Sequence, residues 1–99
     1  MGYIYITPIL TDSWCTPGYI LVPGDIPGWG QIRGNMKKNA ADCAKLCNEE
    51  RDCCSYEHSP SENTCNLNSD CKPSQEKYKD YNFCVQEGVK GRNSIIFLT

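Results

Sequence analysis

Apolar positions crowd into three parts of the chain, 3–10, 18–32 and 94–98, whereas 48–82 is mostly polar. In the first, Tyr3-Ile4-Tyr5-Ile6 alternates β-branched with aromatic side chains, which predicts an extended strand. Cys15-Thr16-Pro17-Gly18 reads as a turn. Tyr19-Ile20-Leu21-Val22 follows as a short buried strand, closed by Pro23-Gly24. The run GDIPGWG (24–30) is dense in Gly and Pro and predicts a shaped loop carrying Trp29. One helix is expected, over about 40–50. Asn39 is a favoured N-cap, Asp42 can complete a weak capping box, and no Gly or Pro interrupts the run. Cys43, Leu46 and Cys47 fall at i, i+3 and i+4 and predict a narrow inward stripe, with Lys45, Glu49 and Arg51 left in water. Beyond it, 53–57, 64–68 and 81–86 have strand character, separated by polar turns at 58–63 and 69–80. Residues 88–93 read as a linker and 94–98 as a last strand.

The cysteines change this picture. Ninety-nine residues make one small domain whose apolar core alone would leave it marginally stable. Eight cysteines in a polar chain of this size point to an oxidised, extracellular disulfide framework. Four of them fall within DCAKLCNEERDCC, with His58, the chain's one histidine, close behind. Adjacent strand residues point to opposite faces, so Cys53 and Cys54 suit two bridges better than one ion. The spacing of His58 fits no standard zinc pattern, and a turn histidine at the end of a strand is expected. Eight cysteines allow 105 pairings, and spacing does not choose among them.

Charge excludes other classes. The net charge is −2, and Lys37-Lys38 with nearby Arg33 is too short a basic cluster for a nucleic-acid footprint. No apolar run is long enough to span a membrane. MGYIYITPIL lacks a basic start and a small-residue cleavage site and is interrupted by Pro8, so it does not read as a signal peptide; a processed form is expected. Asn63-Thr64-Cys65 and Asn82-Phe83-Cys84 are only the rare cysteine variant of the glycosylation triplet.

An early cysteine before a first strand, the GDIPGWG loop, the helix NAADCAKLCNEERDC, the strand CCSYEH with Cys53 and Tyr56, then TCNL and YNFCV follow one another between Cys15 and Cys84. In this, about 70 of the 99 residues resemble a PAN/apple domain. The resemblance implies an α+β fold in which a curved antiparallel sheet cradles one helix, occupying 15–87 between extended arms at 1–14 and 88–99. It also implies that Cys43 pairs with Cys65, Cys47 with Cys53, and Cys15 with Cys84. That assignment leaves Cys54 with Cys71, an addition to the common pattern.

No residues assemble a case for catalysis. Asp25, Asp42, Glu57 and Asp70 are scattered, His58 stands alone, and no phosphate loop follows a strand, so neither an enzyme nor a cofactor is expected. The resemblance implies a secreted binding or adhesion module whose partner is an extracellular protein or glycan. Candidate contacts are Trp29, Arg33, Tyr78, Lys79 and Tyr81, since aromatic and Arg residues anchor interfaces. The plain alternatives are that Trp29 packs over the edge of the core and that 78–81 is a solvated loop. The arms raise a second reading. Tyr3, Ile4, Tyr5 and Ile6, with Ile95, Ile96, Phe97 and Leu98, are too apolar and strand-prone to be left bare. They pair with each other, or add to the sheet edge of a neighbouring copy and build a homo-oligomer or filament, or are remnants of processing.

Overall fold

The structure, a computed structural model, describes residues 15–88. Its elements run β1 (Tyr19–Val22), β2 (Arg33–Lys37), α1 (Ala40–Glu49), β3 (Ser55–Ser59), β4 (Thr64–Asn68) and β5 (Asn82–Gln86). The strands form one sheet in the order β1-β5-β3-β4-β2, each neighbour antiparallel. With one helix and four disulfides this is a small disulfide-rich α+β fold.

The helix begins where Asn39 takes an extended conformation and its Oδ1 accepts the Asp42 N–H at 2.8 Å. It stops at Glu50, whose N–H turns back to the Leu46 and Cys47 carbonyls. Cys43, Ala44 and Cys47 are its buried residues, with Leu46 half-buried at the margin, so the inward stripe is shifted by one position from expectation. The helix lies on β3 and β4. Tyr56, Cys65, Leu67 and Cys84 are fully buried in the cluster it covers, and the Tyr19 ring meets Tyr56 edge-on at 4.9 Å.

The eight cysteines stand in four close pairs. Cα atoms are 5.8 Å apart in Cys15–Cys84 and Cys43–Cys65, 5.2 Å in Cys47–Cys53 and 5.1 Å in Cys54–Cys71, all within normal bridging distance. None is free. Cys53 turns to the helix and Cys54 to the segment carrying Cys71. Both lie just ahead of β3, which begins two residues later than its pattern suggests.

Two expectations need correction. The strand 19–22 forms but is buried only at Tyr19: it is an edge strand of the described sheet, with Ile20 49% and Leu21 39% exposed, because the helix covers β3 and β4 instead. His58 is not a turn residue. It lies inside β3, buried, with Nε2 3.1 Å from the Lys38 carbonyl. The mostly polar stretch 48–82 supplies β3 and β4, which are buried along their whole length. This works because the sheet face away from the helix is a ladder of polar pairs, Ser55–Asn68, Glu57–Asn66 and Ser59–Thr64. The terminal arms, with Tyr3, Ile4, Tyr5, Ile6, Ile95, Ile96, Phe97 and Leu98, lie outside the described residues.

In the loop-entropy account, the cost of losing a bridge grows with the chain it closes. Cys15–Cys84 spans 69 residues and Cys47–Cys53 spans 6. Replacing both cysteines of the first pair by Ala should cost about 4 kcal/mol and of the second about 2 kcal/mol in urea unfolding. The reverse ranking would contradict this account.

Candidate functional site

The polar ladder is a suspension frame for two loops, 23–31 and 69–81. Each rung holds a piece of them, so buried polar groups are matched rather than stranded. Ser55 Oγ donates to the Asp70 carbonyl at 2.6 Å, and Asn68 Oδ1 accepts the Gln31 N–H at 3.2 Å. Glu57 Oε2 accepts the Ile26 N–H at 2.9 Å, while its Oε1 accepts from Asn66 Nδ2 at 3.3 Å. Asn66 Oδ1 in turn accepts the Asn35 N–H at 2.7 Å. Ser59 Oγ donates to Asp80 Oδ1 at 2.6 Å. Only Asn68 Nδ2 lacks a partner among buried side-chain polar atoms of the described residues.

The loops are also tied to each other at both ends. At one end Gln31 Oε1 accepts the N–H groups of Ser69 at 3.0 Å and Asp70 at 2.8 Å. At the other, Asp25 bonds to 73–78 through nearly every polar group it has. Its N–H donates to the Gln75 carbonyl at 2.9 Å, and its carbonyl accepts from Ser74 at 2.9 Å and Gln75 at 3.1 Å. Its carboxylate accepts the Ile26 N–H at 2.7 Å and the Tyr78 N–H. Burial pushes the Asp25 carboxyl above its ordinary value, with those two N–H bonds partly opposing the rise. Asp80 moves the other way: bonded chiefly by Ser59 Oγ, it is held down at about 2.

Between the two loops lies a hollow of about 310 Å³, lined by Ile26, Pro27, Gly28, Trp29, Gln75 and Tyr78 around Asp25. Trp29 is 65% exposed and Tyr78 51%. Neither packs over the core. The Trp29 backbone is fixed from below, because a Cβ on Gly34 would collide with the Trp29 carbonyl. Only glycine allows that approach. Gly24, at φ +119°, sits so close to Pro73 that a Cβ would fall 2.6 Å from its ring. Tyr78 is backed by Tyr81 at 6.0 Å between ring centroids.

Of the residues chosen on sequence grounds, the fold thus brings Trp29 and Tyr78 to one cavity. Tyr81 is buried and supports Tyr78 from behind rather than joining a solvated loop. Lys79 flanks the hollow, its Nζ 5.3 Å from the Tyr78 centroid and 3.3 Å from Glu62 Oε2. Arg33 is elsewhere, on the bulged edge strand β2, with Nη1 3.8 Å from Met36 Sδ. Asp25, Gln75 and Pro27 carry no local mark of a site. The GDIPGWG run marks Asp25 and Pro27 as loop residues, but nothing local reveals the cross-loop bonds of Asp25 or the place of Gln75. Two larger hollows, of about 580 Å³ beside Ile32 and Arg51 and about 640 Å³ beside Leu21 and Asp80, have no aromatic lining.

For an acid whose folded-state pKa is raised, the associated stability is full below the unfolded value and is lost as pH rises through the folded one. Asp25→Asn should therefore be at least as stable as the parent at pH 7, and any gain should vanish below the ordinary value of 3.8. Asp25→Ala, which removes both acceptors, should cost about 1–3 kcal/mol at either pH. Urea unfolding at pH 3.5 and 7 checks both. Gly34→Ala should destabilise the fold and shift the Trp29 amide resonance.

Comparison with protein-family models, curated proteins and solved structures finds no match to this chain.

Proposed function

We propose that this protein is a non-enzymatic extracellular binding module of PAN/apple type, which engages a protein or glycan partner through the hollow between Trp29 and Tyr78. One observation carries the reading. Two aromatic rings 49 positions apart in the chain stand exposed on one cavity, over loops that are hydrogen-bonded to a crosslinked sheet. Exposed rings cost a small domain solubility, and well-placed aromatics are the usual anchors of recognition. Preorganised loops spare the partner the entropy of ordering them. The four disulfides fit a secreted or extracellular location, and among the described residues no helix is long and apolar enough to cross a membrane. The order of motifs from Cys15 to Cys84 supplies the family part of the proposal.

A second reading, a structural subunit assembling through its terminal strands, is favoured by one feature. The sheet has two unlike edges. β2 is bulged between Arg33 and Met36 and carries Arg33 and Lys37, devices that discourage strand addition. β1 is regular, uncharged and exposes Ile20 and Leu21. It is the edge that would receive a strand.

Labelled full-length protein applied to cell surfaces or extracellular matrix separates the two. The first reading expects Trp29→Ala and Tyr78→Ala each to weaken binding about tenfold or more, with an unchanged melting curve, and Arg33→Ala to have little effect. Equal binding by parent and aromatic variants would overturn it. The second expects concentration-dependent assembly of the full chain in sedimentation, suppressed by Ile20→Lys. A monomer throughout would sink it.

A further inference from the structure

We infer that the hollow between the two loops takes the ring of an uncharged pyranose, presented by a glycan; this rests on the reading of that hollow as the binding site. Charge is the first argument. The lining holds a single ionisable acid, Asp25, and its carboxylate is already occupied by the Ile26 and Tyr78 N–H groups. A cationic ligand would meet Lys79 beside Tyr78, while the carboxylate in the lining is buried and turned to those N–H groups. An anionic ligand would find no basic residue in the lining, and Lys79 itself is paired with Glu62. A neutral ligand fits.

The neutral surface is also of a particular kind. The lining residues include apolar Ile26 and Pro27 and a largely exposed indole, and the side chains of Trp29, Tyr78 and Gln75 each carry an uncharged hydrogen-bonding group. A pyranose has the same division, a C–H face that stacks on an aromatic ring and hydroxyls around its rim. The cavity, at about 310 Å³, is at the small end for ligand sites and suits one ring. A protein partner would instead need an apolar surround, because interface cores are depleted of charge. Here the charged Glu76, Lys77 and Lys79, all exposed, are the chain neighbours of the lining residues Gln75 and Tyr78.

The test uses the full chain and a panel of methyl glycosides of glucose, galactose, mannose and N-acetylglucosamine, with glucuronate and choline as charged controls, followed by the indole N–H resonances in NMR. The proposal expects at least one neutral glycoside to shift the Trp29 indole with a Kd of about 1 mM, as befits so small a ligand. Trp29→Ala should weaken binding about tenfold or more and Trp29→Phe less, neither altering the melting curve, since the side chain is largely exposed. A shift confined to glucuronate or choline would overturn it. So would neutral binding insensitive to Trp29, or silence from every glycoside at tens of millimolar. If the glycosides are silent while Trp29→Ala still abolishes cell-surface binding, the hollow remains the site and its occupant is a protein. If neither depends on Trp29, both readings fall.

Discussion

The bridge between Cys43 and Cys65 joins the middle of the only helix among the described residues to an inner strand of the sheet. Its two partners are completely buried. Around it the apolar material is thin: Tyr56 and Leu67 on the sheet, Ala44 on the helix, Tyr19 at the edge. A chain with so small an interior would be marginal without covalent help. Crosslinks remove conformational freedom from the unfolded state, and four of them lessen the demand on hydrophobic burial. That relief lets the far face of the sheet carry buried Ser, Thr, Asn and Glu beside Phe83.

A buried polar face is a hazard unless its groups are matched, and here, Asn68 Nδ2 apart, much of the matching comes from two long loops, through their backbone groups and the Asp80 carboxylate. Neither loop has regular structure to pair its own backbone, so each needs what the ladder offers. Glu57 is the strongest case. It sits 1% exposed, with one oxygen on Ile26 and the other directed to Asn66, whose own carbonyl holds Asn35. The same bonds that make the sheet tolerable fix Ile26 beside the hollow, three residues from Trp29. The network that satisfies the sheet also holds the two loops around the hollow, outside the apolar core.

Local signals recovered the elements that local physics decides. The Asn39 cap, the uninterrupted run to Glu49 and the short strands 19–22 and 64–68 lie where their patterns place them. What hydropathy misassigned was burial. The apolar YILV is buried only at Tyr19, while the polar strands β3 and β4 are buried throughout. Hydropathy weighs a residue's own transfer cost, and the partners that make Glu57 or Ser59 tolerable inside come from Ile26 and Asp80, 31 and 21 residues away. Likewise Trp29 and Tyr78 were each chosen for their chemistry. Their meeting depends on the Asp25–Gln75 pairing, which no short window of sequence contains. Arg33 and Tyr81 share that chemistry but fall on a sheet edge and beneath a ring, positions only the register decides.

The central claim is that covalent crosslinks, rather than apolar burial, keep this polar sheet folded. It is tested most directly by reducing all four bridges under native conditions, blocking the thiols, and following unfolding by circular dichroism and amide hydrogen exchange. The account predicts loss of the cooperative transition and of protection in β3 and β4. A fully reduced protein that still melts cooperatively with those strands protected would contradict it.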